Sequence, residues 1–326
     1  MNCNIDQNRY NQDFVEMIGY AIKAPSGHNT QPWKFNINEK SIEILPNYTK
    51  SLPVVDPDNR ELFISLGCAA ENLCISATSK AYDSKVCIAD NGVIAIDLRK
   101  NELVKCDPLF DQITLRQTNR SVYNGRIISS DVLDTLKNIT IEAGINIYFY
   151  GNGTEEFASI SDFVVRGNVV QMQNRKFTDE LKSWMRFNKK HQDKTNDGLS
   201  YAVFGAPNLP MFIVKPIMSC YLNDKTQNKG DIKKMQSSSH FVLFTSDDNT
   251  PEQWVNLGRT MERFLLKSTE AGIAHTYMNQ PNEVKELSME MTGILHLSAY
   301  PTTLLRIGYG ETQPYSKRLS IENVIE

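Results

Sequence analysis

The spacing of apolar residues changes once early in the chain, and the change marks the first helix and the first strand. Phe14, Ile18, Ala21 and Ile22 recur at helical spacing, and Pro25 excludes Ala24 from the α region, so the helix ends there. After Pro32 the period becomes two: Trp33, Phe35 and Ile37 alternate as a strand does, and Ile42 to Ile44 beyond Asn38-Glu39-Lys40 complete a hairpin. Residues 53–59 form a Pro/Asp-rich turn. It leads into a helix with Leu62, Leu66, Ala69, Ala70, Leu73 and Ala77 on one apolar face. Gly67 lies inside that face, where it costs roughly 1 kcal/mol of helix propensity and implies that another backbone packs close by. Residues 86–88 and 93–98 read as strands.

Further along, 130–136 reads as a helix and 157–190 as mainly helical, with Phe163, Val164, Met172, Phe177, Leu181 and Trp184 as its apolar positions. From 199 to 230 the chain passes Pro207, Pro210 and Pro216 with little period; 197–235 is expected to be a lid, or else a disordered segment. Residues 241–244 read as a short buried strand, and 304–310 as a central strand ending in a glycine turn. Residues 66–78 align with 257–269 without a gap, with Leu, Gly, Glu and Thr coinciding. The repeat supports two related halves, which would pack as a homodimer does but within one chain.

Composition narrows the function classes. With 326 residues, 40% hydrophobic and 22% charged, the chain can build one large or two modest domains. A net charge of -3 and the lack of any Lys/Arg run argue against nucleic acid as a partner. Residues 1–9 are polar, and no stretch nears the roughly 18 apolar residues of a membrane helix, so a cytoplasmic protein without a membrane partner is expected. Six cysteines without CxxC pairs fit reduced thiols, and His191, His240, His275 and His296 show no metal-ligand spacing. Gly151-Asn152-Gly153 lacks the third glycine of a dinucleotide fingerprint; Walker, HExxH and GxSxG motifs are absent. Ser26 and His28, two apart on a turn with no acid to orient the imidazole, do not make a nucleophile and base.

The candidate chemistry lies in the loop between the first helix and strand. Ser26 and Thr30 offer hydroxyls, Asn29 and Gln31 each bring a donor and an acceptor, and Gly27 permits close backbone approach. Such a loop suits a ring with donor and acceptor edges; the same residues also suit an ordinary turn. Arg116, Thr118 and Arg120 alternate along an extended segment, so two guanidiniums and a hydroxyl would point the same way and could grip a phosphate, or form a basic strand end in water.

The run PSGHNTQPWKF resembles the flavin-ring loop of the nitroreductase family of FMN-dependent oxidoreductases. The DPDNRE and LGCAAENL series is similar to the Acg-like subgroup, in which two nitroreductase-like halves share one chain. The likeness covers most of the chain and is strongest at 24–35, 60–78, 113–136 and 254–318. It implies an α+β fold of two halves, 1–110 and 111–326, with an antiparallel-rich central sheet flanked by helices and one FMN between the halves. The ring would meet Ser26, Gly27, Asn29 and Gln31, with Met278 and Gln280 near N5; the phosphate would meet Arg116, Thr118, Arg120, Lys317 and Arg318. In the subgroup the 197–235 insertion acts as a lid over the flavin.

The resemblance implies hydride transfer from NAD(P)H to FMN and then two electrons to a nitro compound, quinone or similar acceptor, in a monomer built as a pseudo-dimer or in a homodimer. The flavin would carry the chemistry, so no side chain is named as catalytic. If the lid keeps nicotinamide away, a flavin-sequestering or stress-related binding protein is the alternative. A cofactor-free α+β binding protein is the third.

Overall fold

In a computed structural model of the chain, residues 10–326 are described, apart from the side chains of 204 and 217–221. Residues 1–9, which carried the expectation about the polar N-terminus, lie outside the described residues, as do the Cys3 and Cys220 side chains. The chain divides into two compact units. Unit 1 comprises Met1–Arg116, Thr250–Glu270 and Arg318–Glu326; unit 2 comprises Gln117–Asn249 and Ala271–Lys317. Unit 1 is thus assembled from three segments of the chain and unit 2 from two.

In unit 1, Asn11 caps the helix Gln12–Ala21 by accepting from the Asp13 amide at 2.9 Å, and Phe14, Met17, Ile18 and Ala21 form its buried stripe. Strands β1 (Trp33–Ile37), β2 (Ser41–Pro46), β3 (Tyr82–Ile88) and β4 (Ile94–Lys100) form an antiparallel sheet ordered β1-β2-β4-β3. The chain's end returns to it, the Phe35 amide donating to the Val324 carbonyl at 2.8 Å.

The helix Arg60–Thr78 departs from the one-faced expectation: every residue from Leu62 to Ala77 is buried. Its start is half-buried, and Asp56 accepts from the Glu61 and Leu62 amides at 3.0 Å each. The reason for the all-round burial is the helix Pro251–Glu270, which crosses it with backbones in contact. A Cβ on Gly67 would lie 2.1 Å from the Val255 carbonyl oxygen, and one on Gly258 would lie 2.1 Å from that of Ile64. The two glycines that align in sequence therefore meet each other at the crossing, each opposite the carbonyl three residues before the other. That approach brings buried Glu71 to Arg263 Nε at 2.5 Å and Arg259 Nε at 3.0 Å.

Unit 2 holds a second antiparallel sheet. Its strands are β5 (Ile145–Gly151), β6 (His240–Ser246), β7 (Ala274–Tyr277) and β8 (Tyr300–Gly308), in the order β5-β6-β8-β7. The helix Glu155–Gln173 lays Phe157, Ile160, Phe163 and Val164 on Phe241, Leu243 and Leu304 to form the core. Asn174 breaks the long helical run and caps the next helix, Arg175–Trp184, by accepting from the Lys176 amide. The arrangement is α+β and rich in antiparallel pairing, as expected, with two four-stranded sheets among the described residues.

The segment read as irregular is largely helical: Met211–Tyr221 and Asp224–Gln236. Pro210 precedes the first of these and Pro216 lies inside it, while the second buries only Asp231 and Met235, so its period is hidden under polar residues. No described helix is long and apolar enough to cross a membrane.

Candidate functional site

The Ala24–Gln31 loop of unit 1 is held in an unusual backbone shape. His28, Asn29 and Gln31 have φ of 48°, 56° and 56°, the left-handed region that residues other than glycine seldom adopt. Each such residue costs of order 1–3 kcal/mol and persists only where its surroundings impose it. Here they do: Ser26 Oγ accepts from the Gln31 amide at 3.0 Å, Gln31 Oε1 accepts from the Leu319 amide at 2.8 Å, and Asn29 Oδ1 accepts from Arg318 Nη1 at 2.9 Å. Gly27 has its reason within the protein, since a Cβ there would lie 3.0 Å from Glu61 Oε2 and 3.2 Å from Leu52 Cδ1.

Two predicted phosphate ligands serve this loop. Arg318 Nη2 donates to the carbonyls of Lys23 at 3.2 Å and Ala24 at 3.0 Å, and Arg116 Nη2 donates to that of Lys23 at 2.8 Å. Both guanidiniums thus cap the carbonyl end that follows the first helix. The Arg116 side chain is buried, with Nε 3.3 Å from Glu262 Oε1, an equally buried carboxylate. Burial pushes the Glu262 carboxyl up to about 7, although Arg116, Asn72 and Arg318 all pull it down. Cys68 and Cys74 are buried nearby in the helix; burial pushes the Cys68 thiol well up and that of Cys74 up to about 12, so neither is a reactive thiolate.

Unit 2 treats its arginines differently. Thr118 forms a parallel bridge with His275 of β7, and the Asn119 amide donates to the His275 carbonyl at 2.9 Å, which lays the Thr118–Arg120 segment beside that strand. Arg120, half-buried, makes no hydrogen bond and no ion pair among the described residues; burial lowers its pKa, Tyr277 and Tyr123 raise it, and Arg306 lowers it further. Arg306, on β8, is 0% exposed. It donates to Ser238 Oγ at 3.2 Å and to the Ser121 carbonyl at 2.7 Å, and its guanidinium carbon lies 4.0 Å from the centre of the Tyr123 ring.

The remaining predicted residues scatter within unit 2. Met278 is 3% exposed and packs in the core, its amide donating to the Leu304 carbonyl at 2.8 Å. The Gln280 amide donates to Asn168 Oδ1 at 3.2 Å and lies 3.4 Å from Asp231 Oδ2, and its backbone presses on Gly167. Lys317 is half-exposed, 3.6 Å from Asp193, which also pairs with Lys189 on the wall of an open cleft of about 790 Å³. No group of three His, Cys, Asp or Glu suited to a metal occurs among the described residues.

Sequence reasoning did not single out Glu262 or Arg306. Each left a signal: Glu262 coincides with Glu71 in the helix alignment, and Arg306 is the one charge in the apolar run Leu304-Leu305-Arg306-Ile307.

No family model matches the chain. Over 70 residues it is 38% identical to "Putative NAD(P)H nitroreductase Rv3131" of Mycobacterium tuberculosis (strain ATCC 25618 / H37Rv), a match covering 22% of this chain and 20% of that protein. The chain thus spans about a fifth of the length of the curated relatives it matches. Among solved structures, it is similar to the FMN and NADPH-dependent nitroreductase NfnB from sphigopyxis sp. strain HMH, with TM-score 0.46, 13% identity, and coverage of 68% of this chain and 98% of that one. It is also similar to the nitroreductase-like family protein from Bacillus cereus, with TM-score 0.40, 14% identity, and coverage of 68% and 95%.

Proposed function

We propose that this chain is an FMN-binding oxidoreductase of nitroreductase type, taking hydride from NAD(P)H and passing two electrons to a nitro compound, quinone or similar small acceptor. The observation that carries the reading is Arg120. A half-buried guanidinium with no carboxylate, carbonyl or hydroxyl partner among the described residues suits an anion, and the donor set of the Thr118–Arg120 segment fits a phosphate. The partial likeness to a protein named as an NAD(P)H nitroreductase supports the choice of anion.

FMN, when bound, supplies the hydride-accepting and electron-transferring chemistry. The protein's own residues bind and orient. Within unit 2, Arg120 and the Thr118 hydroxyl would hold the phosphate. Within unit 1, the loop Ser26–Gln31 is kept in its strained shape by Arg318, Arg116 and the Leu319 amide. In this reading Arg116 and Arg318 act on the loop, and Met278 acts through packing.

The test is the visible spectrum of the purified full chain before and after anaerobic NADPH. A flavin band that bleaches is the expected result. A band that persists would replace the reductase with a flavin-holding protein, and a chain that stays colourless after incubation with FMN would remove the reading altogether.

A further inference from the structure

Unit 2 exposes a run of large apolar side chains that the site above does not use. Leu209, Met211 and Ile213 are 38–41% exposed and Phe212 is 78% exposed; with Pro210 they make the whole of 209–213 open to solvent. Single exposed apolar residues are ordinary on a folded protein, whereas a contiguous patch marks an interaction surface. This one has a fixed base. The helix Met211–Tyr221 starts within it, the Ile213 and Val214 amides donating to the Pro210 carbonyl at 3.0 and 3.2 Å. Val214 is buried and packs with Met185 and Phe187, so it anchors the turn from which Met211, Phe212 and Ile213 project.

Lysines rim the patch. Asn208 Oδ1 accepts from the Lys189 amide at 3.0 Å, which fastens the start of the patch to the helix Lys189–Thr195. Lys189, Lys190 and Lys194 line one open cleft together with Leu209 and Pro210. Lys189 shares Asp193 with Lys317. Lys190 and Lys194 are exposed and make no hydrogen bond or ion pair among the described residues, and Lys215 is exposed on the first turn of the helix Met211–Tyr221. The rim is therefore rich in ammonium groups although the chain carries a net charge of -3.

Shape and composition together select the occupant. The centre of a protein–protein interface is depleted of lysine. A site for one amphiphilic molecule would be concave, but Met211, Phe212 and Ile213 stand outside the cleft lining. A projecting aromatic and aliphatic wedge beside lysines suits the edge of a bilayer, where apolar side chains sink below the headgroups and ammonium groups meet anionic lipid. The helix has 11 residues. At 1.5 Å per residue it is about half as long as the roughly 30 Å hydrocarbon core is thick, so it can lie in the surface and cannot cross it.

We propose that 209–213, with Lys189, Lys190 and Lys194, is a docking surface for an anionic lipid bilayer, to which the chain binds peripherally. The proposal does not depend on the flavin reading.

The experiment sediments the full chain with vesicles of phosphatidylcholine alone, and with vesicles of equal parts phosphatidylcholine and phosphatidylglycerol. The chain should pellet with the mixed vesicles, stay in solution with the neutral ones, and be released as salt is raised from about 0.1 M to about 1 M, where charges are screened within a few ångströms. Phe212→Ser should weaken binding to the mixed vesicles roughly 10- to 100-fold, the worth of one buried aromatic side chain. Replacing both Lys190 and Lys194 by Gln should weaken it roughly 25-fold, about fivefold for each lysine near the surface. All three side chains are exposed, so circular dichroism should show the variants folded as the unaltered chain is. Absence of binding to mixed vesicles would overturn the proposal, as would equal binding to both kinds or binding indifferent to Phe212→Ser. Concentration-dependent self-association abolished by Phe212→Ser, without vesicle binding, would assign the patch to a second copy of the chain and overturn it too.

Discussion

Arg116 and Arg120 stand four residues apart on one polar segment and meet opposite surroundings. Arg116 finds a buried carboxylate and a helix-end carbonyl in unit 1; Arg120 finds another arginine and two tyrosines in unit 2. The charge of the first is matched by a carboxylate, and that of the second meets none among the described residues. An arginine paired with a buried carboxylate acts on the fold, whereas one without such a partner is a candidate binding group. The distinction is invisible in residue type and spacing, and it separates stability from ligand affinity.

The contrast breaks most visibly at Glu262. Glu262→Ala leaves the Arg116 guanidinium buried beside a void, and removing one partner of a buried pair costs roughly 3–5 kcal/mol. Urea denaturation of the flavin-free chain should show that loss, while Arg120→Ala, which orphans nothing, should leave the midpoint nearly where it was. Equal midpoint shifts would show the two arginines to be alike. Next in size is the helix crossing on which unit 1's charge matching depends. Gly258→Ala puts a methyl 2.1 Å from the Ile64 carbonyl oxygen, a backbone atom that has little room to yield. We expect about 3 kcal/mol, the upper part of the usual range for overpacking; a cost under about 1 kcal/mol would mean that the crossing gives way easily.

Much of this was legible in the chain, and what escaped has physical causes. The hairpin at 37–44, the helix ending before Pro25 and the buried strand at 241–244 follow from period and turn chemistry, which are local. The interior Gly67 was readable as a close backbone approach, and its partner is the very glycine aligned with it. The Asp224–Gln236 helix escaped because a helix burying two residues shows almost no apolar period. Arg116, Thr118 and Arg120 alternate in sequence, but that Arg116 donates to the Lys23 carbonyl and Thr118 bridges His275 are long-range contacts that spacing does not show. Loop residues Asn29 and Gln31 were readable as hydrogen-bonding groups, but that Arg318 and Leu319 occupy their side-chain oxygens is a contact across nearly the whole sequence.

Arg120 gives the next smaller effect and the sharper one, because it moves only one of two measurements. Arg120→Met should weaken FMN binding by about 1.5–3 kcal/mol, as expected for lost hydrogen bonds to a charged group. Isothermal titration and urea denaturation on the same preparations would separate affinity from stability. An unchanged FMN affinity would sink the assignment of Arg120 to the phosphate.

The smallest effect follows from the same contrast, since guanidiniums hold their charge at every ordinary pH while unit 1's matching depends on carboxyls that do not. Folding raises the Glu262 pKa from 4.5 to about 7 and that of Asp56 from 3.8 to about 7, burial being the largest cause for both. Between the unfolded and folded values the native state holds protons that the unfolded chain has released. Stability therefore falls as the pH rises through that window, from about 4 to 7. Glu262→Gln cannot release a proton, so its urea midpoint, although lower overall, should fall less steeply across the window than that of the unaltered chain. Parallel slopes would mean that Glu262 stays ionised beside Arg116 throughout. The pair would then be a permanent salt bridge, and the matching in unit 1 would be as indifferent to pH as the arginines of unit 2.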